Sequence, residues 1–341
     1  MGLHAAPHHP RHAGPPRPTG PPRRAERPRR TGRARPADHH RHAARSRRTR
    51  RTLLVALGLL LVAAFLGIPR ADGAPVAADA CRGGPVTELP HGDCGPFWQV
   101  LAEDFDGDRV PSGSFSDCDH HADTSAAYCG GLSGAYRDNW WAYPTGWPDT
   151  AAGRGRAVTG VYHPEDTVSV GPAADGDGRM YIRMWRPRDG GPVHSAAVVP
   201  RAAMQMTYGK FTARIKVTEP APGYKSAWLH YGGGCETDFP EGEWTGTLSA
   251  FHHPCGGGEQ GYFAGAADWT HWHTVSTEWT PGRVRFYVDG RLIGQDTRGV
   301  ADRPLSWVLQ NESALEGPGA APGSSARLDI TWVAAYAYGW K

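Results

Sequence analysis

Cys235-Glu236-Thr237-Asp238-Phe239-Pro240-Glu241-Gly242-Glu243-Trp244 is the stretch on which the reading of this chain turns. Three carboxylates, Glu236, Asp238 and Glu241, are interleaved with apolar or β-compatible residues. That is the pattern of a strand carrying acids on one face. Side chains alternate along a strand, so Glu236 and Asp238 point the same way. Glu241 follows Glu236 by five residues, and a regular strand would turn it to the opposite face. One extra residue in a β-bulge restores the parity. Pro240 marks the place, because proline within a sheet is confined to edges, strand ends and bulges. The expectation is a bulge at Phe239–Pro240 with all three acids facing one cleft. Four effective steps of ~3.3 Å set the two glutamate Cα atoms roughly 13 Å apart. Side chains leaning across the shorter Asp238 can approach the ~5–5.5 Å separation of a nucleophile and acid/base pair.

The neighbouring residues extend this strand into a hairpin. Gly246 makes a turn after Trp244, and Thr247–His253 (TLSAFHH) alternates as the return strand. A turn centred near residue 245 pairs positions summing to about 490, which sets Cys235 opposite Cys255. Sequence neighbours give Cys81–Cys94 and Cys118–Cys129 as the other pairs. All six cysteines lie beyond an apolar run at Leu53–Pro69. An even count confined to that part fits disulfides in an oxidising compartment. There is no C-x-x-C and no matching histidine pair, so no metal site is expected.

From Phe97 onward the chain reads as short strands between Gly, Pro and Asp. Examples are Met180–Arg186, Phe211–Thr218, Thr274–Trp279, Arg283–Val288 and Arg327–Tyr338. Val288-Asp289-Gly290-Arg291-Leu292 is a hairpin turn flanked by apolar residues. No long stretch has helical period. The expectation is an all-β sandwich of two antiparallel sheets, a jelly roll, in one domain over residues 97–341.

Charge divides the chain. Residues 1–52 hold 15 of the 37 basic residues and two of the 34 acids, a net +13 that leaves the remainder at −10. A nucleic-acid argument therefore applies only to the tail, and no nucleic-acid partner is expected for the body. Residues 1–52 are rich in Arg, Pro and His and too poor in apolar residues to offset ordering entropy, so disorder is expected there. Leu53–Pro69 has the length of a signal-peptide h-region. Thr49-Arg50-Arg51-Thr52-Leu53-Leu54 before it is similar to a twin-arginine export signal. Ala78-Asp79-Ala80 and Ala71-Asp72-Gly73 are candidate cleavage sites. The rival reading is a retained signal anchor with the domain outside. Residues 70–96 read as a linker and N-terminal extension, and the mature protein as a secreted monomer.

Taken together, these residues resemble glycoside hydrolase family 16, whose members share a concanavalin A-like β-jelly roll. The family hallmark is a glutamate, an aliphatic, an aspartate, an aliphatic, an optional extra residue and a second glutamate. Glu236-Thr237-Asp238-Phe239-Pro240-Glu241 is similar to its longer, bulged form, with Thr237 departing from the usual aliphatic. Ala102–Phe105, Tyr208–Lys216, Ser226–Leu229, His273–Thr280, Phe286–Gly290 and Leu328–Tyr336 resemble further family strands in the correct order.

The resemblance implies that Glu236 is the nucleophile, that Glu241 is the acid/base and that Asp238 tunes Glu236. It implies Trp228 and Trp244 as sugar platforms and His252 and Gln310 as hydrogen-bonding groups. Trp147, in the aromatic loop Asn139–Trp147, is expected to wall one end of the cleft. The expected activity is retaining hydrolysis of internal β-glycosidic bonds of a polysaccharide, first a β-1,3-glucan, with no cofactor. A structural calcium ion is common in such jelly rolls, and no ligand set stands out. The alternatives are a non-catalytic carbohydrate-binding jelly roll and a wall-remodelling transglycosylase. Asn311-Glu312-Ser313 has the form of a glycosylation sequon, read as a chance match.

Overall fold

The computed structural model describes residues 86–119 and 126–339. The basic tail, the apolar run with the signals around it, and Cys81 lie outside these residues. The strands are β1 (Phe97–Glu103), β2 (Trp140–Ala142), β3 (Gly160–Tyr162), β4 (Val168–Pro172), β5 (Gly178–Trp185), β6 (Val193–Pro200), β7 (Gly209–Glu219) and β8 (Tyr224–Gly232). They continue as β9 (Cys235–Glu243), β10 (Thr247–His253), β11 (Gly261–Asp268), β12 (His273–Thr280), β13 (Arg283–Val288), β14 (Arg291–Asp296), β15 (Ser306–Ser313) and β16 (Ser325–Tyr338). Among the described residues the helices are single turns or little more, such as α1 (Gly134–Asn139) and α2 (Thr150–Gly153).

The strands form two layers. One runs β11-β10-β9-β8-β15-β6, with β2 added against β6. The other runs β5-β16-β7-β12-β13-β14, with β1 against β16 and β4 against β5. β6 joins them through one pairing with β5, Trp185 opposite His194. Every strand pairing is antiparallel except β3 with β6. The expected all-β jelly roll is the fold observed.

Period-two alternation builds the core. On β5, Met180, Ile182 and Met184 point inward and are fully buried, while Arg179, Tyr181 and Arg183 point outward. Across the layers, Phe239 of β9 meets Phe286 of β13 at 5.5 Å between ring centres, and Phe211 of β7 meets Trp307 of β15 at 5.4 Å. The tryptophan load goes largely into this interior: Trp140, Trp141, Trp228, Trp244 and Trp269 are fully buried.

Local chemistry fixes the turns. Asp289 and Gly290 both take positive φ, 49° and 75°, between Val288 and its partner Arg291. That is the backbone a two-residue hairpin needs to match strand twist. Cys118–Cys129 and Cys235–Cys255 are both bridged. The third expected pair includes Cys81, outside the described residues. The end of the expected linker is fastened to the body: Thr274 Oγ1 donates to the Val86 carbonyl at 2.6 Å and Trp332 Nε1 to that of Thr87 at 3.1 Å.

Candidate active site

β9 runs between β8 and β10, and its register carries the predicted irregularity. Asp238 pairs with Leu229 on β8 and Phe251 on β10, whereas Glu241 pairs with Ala227 and Ser249. Three residues on β9 thus span two on each neighbour, which is a bulge of one residue at Phe239–Pro240. Phe239 points into the core and Pro240 is the extra residue, so Glu236, Asp238 and Glu241 share the face away from the core. The Phe239–Pro240 peptide is cis.

Asp238 is almost wholly buried, with its Oδ2 3.1 Å from Nε2 of His253 on β10. His253 stands opposite Glu236 and therefore on the same face. Burial pushes the Asp238 carboxyl well above the usual aspartate range, and the charge of Glu236 adds to it, against the His253 hydrogen bond. The Asp238 hydrogen bond in turn raises His253, against burial. Oδ1 of Asp238 is buried without a hydrogen-bond partner among the described residues.

Glu241 has a different partner. The Lys225 ammonium on β8 lies 2.7 Å from Glu241 Oε1 and 3.3 Å from Oε1 of Glu312 on β15. Burial pulls this lysine down, but the charges of Glu312 and Glu241 outweigh it and raise it above the ordinary lysine range. Ala227, directly opposite Glu241, has no side chain to fill the space between.

The binding residues expected from the resemblance divide by strand parity. Gln310 pairs with Ala227 across β15 and β8, so it shares the acids' face. Trp228 points the other way and is fully buried, its indole nitrogen 3.4 Å from Asn311 Oδ1. Trp244 is also fully buried and donates to Ser226 Oγ at 2.8 Å. A ring closed in on both faces offers no platform to a sugar, so these two tryptophans are core residues. His252 is corrected likewise. It is 2 % exposed, accepts from Thr237 Oγ1 at Nδ1 (2.9 Å) and donates from Nε2 to the Arg298 carbonyl (2.8 Å). That pairing also accounts for Thr237: its hydroxyl is satisfied on the core side, where the resemblance led one to expect an aliphatic.

Trp147 is half-buried in the loop after β2, with its ring 5.6 Å from Tyr143. β2 is four strands from β9, roughly 19 Å at strand spacing, so Trp147 flanks the sheet rather than the acids. Asn311 is fully buried and its amide donates to the Ala196 and Leu309 carbonyls, which leaves the sequon no room for a glycan.

Lys225, Glu312 and His253 were not singled out in the sequence. Parity counted from Glu236 along the paired strands carries the signal for all three. Two groups of potential ligands occur among the described residues: Glu236, Asp238 and His253, and separately His163, Asp166 and His194. Each includes histidine and offers three side chains, unlike the six to eight oxygens calcium takes.

A model of the family described as glycosyl hydrolases family 16 matches residues 177–304. A comparison with curated proteins found no match. The laminarinase catalytic domain from Thermotoga maritima is similar in structure, with a TM-score of 0.50 and 18% identity over 71% of this chain and 98% of that one. A glycosyl hydrolase family protein from Mycobacterium fortuitum is 22% identical over 70% of this chain and 99% of its own, with a TM-score of 0.48. The Thermotoga likeness shows a shared fold. The family match covers the strand with the three acids and both of its neighbours. Residues 177–304, which hold this strand and its neighbours, are thus similar to glycosyl hydrolases family 16.

Proposed function

We propose that the protein is an exported retaining endo-glycosidase that hydrolyses a β-linked polysaccharide, first a β-1,3-glucan. The observation that carries this reading is the bulge in β9, which brings Glu236, Asp238 and Glu241 to one face. In the first step Glu241 gives its proton to the glycosidic oxygen while a Glu236 oxygen attacks the anomeric carbon. The bond to the leaving sugar breaks and a glycosyl–Glu236 ester forms. In the second step Glu241 takes a proton from water, which attacks the same carbon and releases Glu236. Asp238 lies between them, and burial, with the charge of Glu236, raises its carboxyl well above the ordinary aspartate range. When it carries a proton, Asp238 can donate from its unpartnered Oδ1 to Glu236, a bond that strengthens in the second step as negative charge returns to that group. Neither step needs a cofactor.

The β-1,3-glucan assignment rests on the bulged form of the motif, which the family's β-1,3-glucanase, agarase and carrageenase branches share. The body's net −10 disfavours sulfated carrageenan, which it would repel. Export rests on the apolar run and on disulfides confined to the chain beyond it. Reducing-sugar release from laminarin by the wild type and by Glu236→Gln tests the activity. The wild type is expected to release sugar and the variant to lose at least ~10³-fold, within the range of covalent and acid/base contributions. Equal release by both would remove Glu236 from the chemistry.

A further inference from the structure

Next to the three acids lies a charge cluster that the double displacement does not itself demand. Lys225 and Glu312 stand opposite each other on β8 and β15, on the acids' face. Both are buried, at 5 % and 1 % exposure. Glu312 is held from behind, because its Oε2 accepts the backbone N–H of Thr150 at the start of α2 (3.2 Å). Glu312 would suffice to neutralise a buried ammonium, yet the closer contact of Lys225 is with Glu241. On the β8 side only the methyl group of Ala227 stands opposite Glu241, so the lysine can reach along that strand from 225 to 241. The result is a chain from a fixed backbone amide, through Glu312 and Lys225, to one oxygen of Glu241. The other oxygen, Oε2, makes no hydrogen bond among the described residues. That is the oxygen left for a substrate proton.

We propose that Lys225, anchored by Glu312, is a positioning residue that fixes the Glu241 carboxyl, so that Oε2 carries the proton exchanged with the leaving sugar. This rests on the acid/base assignment of Glu241 above. A glutamate has three side-chain torsions, and an acid that must meet a glycosidic oxygen within hydrogen-bond reach gains from having them fixed beforehand. The ammonium touches neither sugar in this scheme and acts through Glu241 alone.

A leaving group that departs without a proton separates this role from general damage. The full chain is compared with Lys225→Met and Lys225→Met/Glu312→Gln on laminarin and on a 2,4-dinitrophenyl β-laminaribioside. kcat/KM reports the first chemical step on both. The double variant removes both buried charges together and serves where the single variant does not fold. On laminarin, kcat/KM is expected to fall ~10²-fold or more, the lower range of general-acid catalysis. On the dinitrophenyl glycoside it is expected to stay within about threefold, because dinitrophenolate leaves unprotonated. An active wild type with a variant unchanged on laminarin, or slowed equally on both substrates, overturns this inference alone. A wild type silent on both substrates overturns the hydrolase reading and this inference with it.

Discussion

Asp238 and His253 act as one titrating unit. Burial and then the Glu236 charge push the aspartic acid up, and its hydrogen bond pushes the histidine up. The pair therefore keeps a proton to higher pH than a free imidazole does. A histidine raised on folding adds stability that is fully present below its unfolded value of about 6.5 and is lost as pH rises through the folded value. The urea-midpoint gap between the wild type and His253→Asn is accordingly expected to be largest near pH ~5.5 and to shrink towards pH ~9. His253 is 41 % exposed, so the gap stays below about 1 kcal/mol. A gap that widens with rising pH would contradict the pairing. The same residues mark where single-residue reading failed. The resemblance led to His252, but neighbouring residues of a strand face opposite ways. His253 is the histidine on the acids' face, while His252 belongs to Thr237 and the core. Trp228 failed in the same way, because its neighbours Ala227 and Leu229 occupy the outward positions.

At the scale of the element, the bulge explains why a five-residue spacing still gives one acidic face. Asp238 and Glu241 hold their own registers on either side of it, and only Pro240 is surplus. Removing Pro240 should then leave a regular strand in which Glu236, Asp238 and Glu241 alternate correctly and Phe239 still points inward. The Pro240-deleted protein is expected to keep its fold and retain kcat/KM on laminarin within ~10²-fold, the cost of about an ångström of misplacement. Deleting Thr237 instead puts Glu236 and Asp238 on opposite faces, and activity should vanish. Comparable loss from the two deletions would count against the bulge as the device that sets the face. This element was legible because proline, spacing and alternation all agreed. The Cys235–Cys255 bridge was legible too, because it closes the base of the same hairpin. The Lys225–Glu312 contact was not, since it depends on β15 lying next to β8, a neighbour about eighty residues away in sequence. Local patterns do not encode that adjacency.

Across the whole molecule, the core and the site are built by one alternation. Inward positions of both layers bury the tryptophans and phenylalanines, and outward positions of β8, β9, β10 and β15 carry Lys225, the three acids, His253, Gln310 and Glu312. The jelly roll was legible from short alternating strands and turn chemistry. The division of tryptophans between core and surface was not, because composition counts them without assigning a face. If Glu236 and Glu241 act from one face as nucleophile and acid/base, as proposed, the stereochemistry of the product is fixed. Proton NMR of the anomeric signals during the first minutes of laminari-oligosaccharide hydrolysis reads that stereochemistry directly. The new reducing end is expected to appear first as the β-anomer and only later to mutarotate. First appearance of the α-anomer would contradict that assignment of roles.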